Sequence, residues 1–413
     1  MKRFLASLLL ALGLALSGYA GAQATAPFTQ IIVFGDSLSD SGNVFSVSGS
    51  PPPPYFGGRF TNGLVWPEVL ASTWDVPLTN YAYGGALTGI TNSGNPVNPT
   101  GGSGSVYDPG APFPTTAPQP GTFPLPGMMS QVLAYATGVQ IALQGGPTAP
   151  GAIIPDPGAL YVVFAGGNDF LALASQPPEV LGAFGASLGL NPFDPNFQSD
   201  LIGEIIFLAL TNITSANPID YLGGAVQAPA GAVPLLYGLG ARNIAVVNLP
   251  DLSLSPAAAA GGPAIQGAFA QTVAIYNSLL STALGALTGA LPGVNIIEVD
   301  AGALLQNAVA NPAAFGLENV TAPCVETGCF LNPDIDPNTY LFWDSVHPTA
   351  TVHEVVAMTV MEEAEESMEP PPPPVSVPVV VAAANGGSGA VGPWMLLFGL
   401  LLIGFARRRP QIL

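Results

Sequence analysis

The chain contains two histidines, His347 and His353, so an imidazole acting as a general base must be one of them. His347 stands in Trp343-Asp344-Ser345-Val346-His347-Pro348, three residues after a carboxylate. One turn of chain can then supply both the base and the group that fixes its tautomer and direction. Pro348 ends that turn and lets a helix begin near Thr349, which places His353 inside the helix, in a packed or surface role. Such a base needs a nucleophile and donors for an oxyanion. Ser37, in Gly35-Asp36-Ser37-Leu38-Ser39-Asp40-Ser41-Gly42-Asn43, directly follows an apolar run, where an α/β sheet exposes its chemistry. The same composition also suits a plain strand-to-helix turn capped by Ser or Asp. In Ala165-Gly166-Gly167-Asn168-Asp169, the Asn168 amide can serve an oxyanion or cap a helix. In Tyr81-Ala82-Tyr83-Gly84-Gly85-Ala86, Gly84 or Gly85 can offer a backbone N–H. Ser187 is a rival nucleophile, because Gly185-Ala186-Ser187-Leu188-Gly189 matches a G-x-S-x-G elbow; that motif needs a strand before it and a helix after it, and the flanking sequence suggests neither.

The elements that position these residues are readable from periodicity. Gln30–Phe34, Leu160–Phe164, Asn243–Leu249 and Val294–Val299 are short apolar runs rich in β-branched residues, as strands buried on both faces are. Between them, Met128–Leu143 and Ala264–Leu287 repeat apolar positions at three and four. Strands alternating with helices predict an α/β fold with a mainly parallel sheet covered on both faces. Residues 92–127 are dense in Gly, Pro, Ser and Thr without periodicity and read as a long inserted loop: a lid, a binding loop or a disordered segment.

Both ends read as processing segments. Residues 1–24 join Lys2 and Arg3 to an apolar centre and small residues around Ala22-Gln23-Ala24, the pattern of a secretory signal peptide. At the other end, a Pro/Gly linker (369–390) precedes an apolar stretch and Arg407-Arg408-Arg409 (391–413). That stretch is slightly short of the ~20 residues that span a bilayer, and the arginines favour the cytoplasmic side. Five of the seven basic residues lie in these ends, leaving Arg59 and Arg242 against 26 acidic residues that all fall between Asp36 and Glu369, a formal charge of 2 minus 26, or −24, for residues 25–369. Such a body repels nucleic acid and anionic membranes and suits uncharged substrates; the acidity also serves solubility. Cys324 and Cys329, five apart in an exported chain, read as a small loop disulfide rather than a metal site.

Four polar turns fall in the order of the blocks of the GDSL, or SGNH, hydrolase family. Gly35-Asp36-Ser37 resembles the nucleophile block and Tyr83-Gly84-Gly85-Ala86 the glycine block. Gly166-Gly167-Asn168-Asp169 resembles the G-x-N-D block and Asp344-Ser345-Val346-His347 the D-x-x-H block. Gly58-Arg59-Phe60-Thr61-Asn62-Gly63, Asn248-Leu249-Pro250-Asp251 and Tyr340-Leu341-Phe342 extend the similarity over residues 28 to 362. The resemblance implies a three-layer α/β/α, flavodoxin-like hydrolase domain over 25–368. It also implies Ser37 as nucleophile, His347 as base, Asp344 as its orienter, and an oxyanion hole from the Ser37 N–H, the N–H of Gly84 or Gly85, and the Asn168 amide. The activity implied is hydrolysis of a small-molecule or lipid carboxylic ester, with no metal or organic cofactor expected. The tail resembles the Gly-Gly sorting tails of Gram-negative surface proteins, which implies export, sorting machinery as a partner and a secreted or surface-anchored product. The alternative is a non-catalytic, surface-displayed binding protein on a hydrolase scaffold.

Overall fold

The computed structural model describes residues 26–90, 125–176, 178–221 and 226–368. The readings of 1–24 as a leader, of the insertion up to 124, and of 369–413 as linker and sorting segment lie outside the described residues. The described residues fall within a compact unit that ends at Glu369.

Five strands form the central sheet: β1 (Ile31–Gly35), β2 (Leu78–Asn80), β3 (Leu160–Phe164), β4 (Asn243–Val247) and β5 (Asn295–Val299). Their order is β2-β1-β3-β4-β5 and every pairing is parallel. This is the doubly wound, flavodoxin-like arrangement, with the strand order reversing beside β1. The helices that matter to the site are α1 (Trp66–Trp74), α2 (Met128–Gly145), α3 (Gly167–Ala174), α4 (Phe197–Thr214), α5 (Pro263–Ala290), α6 (Ala301–Ala310) and α7 (Ala350–Glu366).

Because successive side chains of a strand point to opposite faces, an unbroken apolar strand feeds two cores. Ile32, Phe34, Tyr161, Val163, Ile244 and Val246 pack with Met129, Tyr135, Ile213 and Leu280 of α2, α4 and α5. Ile31, Val33, Leu160, Val162 and Phe164 pack with Trp66 and Leu70 of α1 and Ala357 and Val360 of α7. The four strands read from sequence are present, Leu160–Phe164 with the same ends and the other three with ends shifted by one or two residues. The fifth, Leu78–Asn80, is a three-residue, partly exposed edge strand, too short and too polar to give a periodic signal.

The strand order places the polar turns. β2, β1 and β3 are neighbours, so the turns after them, carrying Gly84, Ser37 and Asn168, emerge side by side at the carboxyl edge. A separate two-stranded sheet, Asn319–Pro323 with Tyr340–Phe342, leads into Trp343 and Asp344.

Candidate active site

β1 must deliver Ser37 without fraying, and its last residue is fixed from two directions. The Gly35 N–H donates to Gln131 Oε1 at 2.8 Å, and Gln131 Nε2 donates to the Gly35 carbonyl at 2.8 Å. A Cβ at Gly35 would stand 2.3 Å from the Phe164 carbonyl oxygen, so the close approach of β1 to β3 at this point requires glycine. Beyond it, the Leu38 N–H donates to Asp36 Oδ1 and the Ser39 N–H to the Asp36 carbonyl, both at 3.0 Å. This tight turn holds Ser37 at the end of the sheet.

His347 arrives from the far end of the sequence. Its Nε2 lies 2.7 Å from Ser37 Oγ, and its Nδ1 lies 2.7 Å from Asp344 Oδ2. A carboxylate can only accept, so Nδ1 carries the proton and Nε2 presents its lone pair to the Ser37 hydroxyl. Asp344 Oδ1 accepts the N–H groups of Val346 and His347 at 2.8 and 2.7 Å, and Oδ2 also accepts the Tyr55 hydroxyl at 2.8 Å. Burial pushes the Asp344 carboxyl up, but the charge of His347 and these hydrogen bonds outweigh it and hold the group down at about 2. The arrangement can pass a proton from Ser37 to His347 while the imidazole keeps one tautomer.

Asn168 lies at the second position of α3 and lines the same cavity as Ser37 and His347. The N-cap position of α3 is Gly166, so Asn168 does not cap it; its Nδ2 donates to the Ala86 carbonyl at 3.1 Å, and one amide hydrogen remains for a ligand. Its neighbour Asp169 accepts the Thr88 N–H and hydroxyl at 3.0 and 2.8 Å. Of the two backbone donors weighed in the glycine turn, Gly84 is corrected by the structure. Its N–H donates to Asp40 Oδ2 at 2.8 Å, because Asp40 gathers the amides of Gly42, Asn43, Val44 and Gly84 into one buried cluster. The amides of Ser37 and Gly85 enter no hydrogen bond among the described residues.

Ser187, the rival nucleophile, ends the helix Pro178–Ser187, exposed, with its hydroxyl donated to the Phe184 carbonyl at 2.6 Å; no strand leads into it. His353 is buried in α7 and accepts the Trp66 N–H on Nδ1 at 3.4 Å. Burial, then the charge of His347, lowers its pKa to about 3, so it is neutral. Cys324 and Cys329 are joined, with Cα atoms 5.0 Å apart, and pack against Trp343. Sequence reasoning counted Tyr55 among the loop aromatics suited to an acyl or aryl group and gave it no place beside Asp344, and it gave no role to Phe60 or Asp40. Asp36 and Asp169 are both pushed up by burial, to about 7 and about 6.

Beside the polar cluster opens a cavity of about 90 Å³. Asp36, Ser37, Asn168 and His347 line one part of it. Leu304, Leu305 and Ala308 of α6 and Val352, Val355 and Val356 of α7 form an apolar wall. The α6 residues recur at i, i+1 and i+4, and the α7 residues at i, i+3 and i+4, so each helix turns one stripe toward the cavity.

A family model described as GDSL-like Lipase/Acylhydrolase matches residues 31–360. A GDSL esterase/lipase of Arabidopsis thaliana is 27% identical over 359 residues, which cover 81% of this chain and 87% of that protein. Esterase EstA of Pseudomonas aeruginosa is 30% identical over 364 residues, 81% of this chain and 46% of that protein, so the match spans less than half of EstA. Among solved structures, a member of the lipolytic G-D-S-L family from Veillonella parvula is 13% identical with a TM-score of 0.32, covering 81% of this chain and 96% of that one.

Proposed function

We propose that this chain, which belongs to the GDSL-like lipase and acylhydrolase family and is a hydrolase of ester bonds, cleaves carboxylic esters through an acyl intermediate on Ser37. The observation that carries the reading is the continuous run from Ser37 Oγ to His347 Nε2 and from His347 Nδ1 to Asp344 Oδ2, 2.7 Å at each step. In the first half-reaction, Ser37 Oγ attacks the ester carbonyl carbon as its proton passes to Nε2. The oxyanion is met by the Ser37 and Gly85 amides and by the Asn168 side chain. Collapse expels the alcohol, which takes its proton from His347. Water then attacks the acyl carbon with His347 as base, releasing the carboxylic acid and restoring Ser37.

The apolar stripes of α6 and α7 beside Ser37 suit an ester with an aliphatic or aryl group. Export, with the leader removed and the C-terminal segment acting as a sorting tail or anchor, is the remaining part of the proposal. It is supported by the composition of the two ends and by the joined Cys324 and Cys329, since such bonds persist in oxidising compartments.

The test is a fluorophosphonate label with p-nitrophenyl acetate, butyrate, octanoate and palmitate as substrates, comparing the parent with Ser37→Ala. Heat-sensitive labelling and hydrolysis that are both lost in Ser37→Ala are the expected result, with octanoate preferred over acetate. A folded parent that neither labels nor hydrolyses any ester overturns catalysis and moves the weight to a binding role. An exported protein starting at Thr25 is the expected sign of leader removal.

A further inference from the structure

We infer that Tyr55 acts on His347 through Asp344, tempering the charge that the carboxylate turns on the imidazole, and that the loop running from Tyr55 to Asn62 clamps the turn the pair shares. The inference rests on the assignment of Ser37 and His347 above.

Four contacts, each from a different residue of that loop, reach the Asp344–Ala350 segment. The Tyr55 hydroxyl donates to Asp344 Oδ2 at 2.8 Å, the same oxygen that meets His347 Nδ1, and its ring stands edge-on to Trp343, with centroids 6.3 Å apart. The Phe60 ring lies tilted against the His347 imidazole at 5.1 Å. The Thr61 hydroxyl donates to the Pro348 carbonyl at 2.8 Å, and Asn62 Oδ1 accepts the Ala350 N–H at 2.7 Å. The loop is itself anchored on α1, where Arg59 Nε and a terminal guanidinium nitrogen donate to the two Glu68 oxygens at 3.1 and 2.6 Å.

These contacts have two physical consequences. First, Asp344 does not depend on Tyr55 for its place, because the Val346 and His347 amides hold Oδ1; removing the phenol leaves the carboxylate where it is. Second, a phenol donating to Oδ2 draws negative charge from the oxygen that faces the imidazole. Burial, and then the charge of Asp344, raise the Tyr55 hydroxyl well above its ordinary range, so it stays a donor wherever the protein is folded. Without it, Oδ2 turns its full charge on Nδ1–H and favours imidazolium over imidazole. Asp36, Glu326 and His353 also face this cluster: Asp36 and His353 act on His347, and Glu326 accepts the Ser345 N–H and acts on Tyr55. All three remain in a Tyr55 variant.

Tyr55→Phe keeps the ring against Trp343 and deletes the donor. The readout is the first-order rate constant of fluorophosphonate labelling at Ser37 across pH, which is a property of the folded molecules whatever fraction they form. The acid limb is expected to move to higher pH by roughly 0.5 to 1 unit, the scale of one charge-assisted hydrogen bond. At a pH well below the limb this slows labelling by about 3- to 10-fold, with KM for p-nitrophenyl acetate unchanged. A limb that stays in place, or moves to lower pH, overturns the inference while leaving the Ser37 assignment intact. A parent that does not label at Ser37 overturns the assignment itself.

Discussion

Replacing Asp344 by Asn keeps the shape of the side chain and removes its charge, and the surrounding donors determine how the site responds. Four donors converge on the carboxylate: two backbone amides on Oδ1, and the imidazole Nδ1–H and the Tyr55 hydroxyl on Oδ2. The backbone amides cannot turn, so the single oxygen of Asn stays with them and its NH2 faces His347 and Tyr55. His347 must then accept at Nδ1, which moves its proton to Nε2 and points a donor at Ser37. A base in that tautomer cannot take the serine proton, and kcat/KM is expected to fall by about 10⁴. The folded state loses something as well. The Asp344 carboxyl falls from 3.8 to about 2 on folding, which corresponds to about 2 kcal/mol. Because the folded value lies below the unfolded one, that contribution is complete above about pH 4 and disappears as pH falls toward 2. Parent and variant should therefore differ in unfolding free energy by about 2 kcal/mol at pH 7 and converge near pH 2. The assays are p-nitrophenyl butyrate hydrolysis and urea unfolding across this range. A loss of activity under tenfold in a folded variant would refute the tautomer argument, and a stability gap that does not close at low pH would refute the electrostatic one.

Asp36 works in the opposite sense: burial raises its carboxyl to about 7, above its unfolded value, so stability is full below about pH 4 and declines as pH rises through 7. Asp36→Asn keeps an acceptor for the Leu38 N–H and should flatten that decline, giving a higher melting midpoint than the parent at pH 8 and little difference at pH 4 by thermal unfolding. Asn168→Ala should lower kcat by about 10² to 10³ with KM nearly constant if the amide meets an oxyanion; loss of folding without that split would return Asn168 to a structural role. The Cys324–Cys329 loop braces the catalytic turn, since the Val325 N–H donates to the Trp343 carbonyl at 2.8 Å and Glu326 accepts the Ser345 N–H at 3.1 Å. Replacing both cysteines by Ala should cost about 2 kcal/mol of stability by the loop-entropy estimate and lower kcat at temperatures where the fold is still intact, read by unfolding and ester hydrolysis side by side.

The parts of the fold that were legible are those whose signal is local. β1 and β3 are unbroken apolar runs, and β4 and β5 are apolar apart from Asn243, Asn295 and Glu298, because helices cover both faces of the sheet, whereas Leu78–Asn80 has an exposed edge and three residues. Ser37 and Asn168 were legible as candidates because each comes directly after a strand with a clear apolar run, whereas the glycine turn was legible from its glycines and its place among the four blocks, since the strand before it gave no signal. The choice between Gly84 and Gly85 was not, because it turns on Asp40, 44 residues away, taking the Gly84 N–H. Tyr55 was hidden for the same reason, since 289 residues separate it from Asp344. Its sequence neighbours, a proline run and a glycine pair, describe a loop and give no sign of where the hydroxyl ends.

The four carboxylates around Ser37 and His347 show what sets their charge in so acidic a body. Asp40 accepts four backbone amides, as many donors as Asp344 receives, yet burial still raises it. Asp36 and Asp169, with fewer donors, are raised as well. Asp344 alone of the four is lowered, and it is the one in contact with an imidazole. Amide dipoles satisfy a buried carboxylate without outweighing its desolvation here; the hydrogen bond to the His347 imidazole, together with the charge that ring carries when protonated, does. Between the two ends of the chain, the arginines are Arg59, bound to Glu68, and Arg242, whose guanidinium donates to the Tyr237 and Ala241 carbonyls. His347 is thus the group on which the ionisation of Asp344 depends, and the scarcity of other cations makes the pair mutually dependent: a change that weakens one partner's charge is felt by the other without a competing counter-ion.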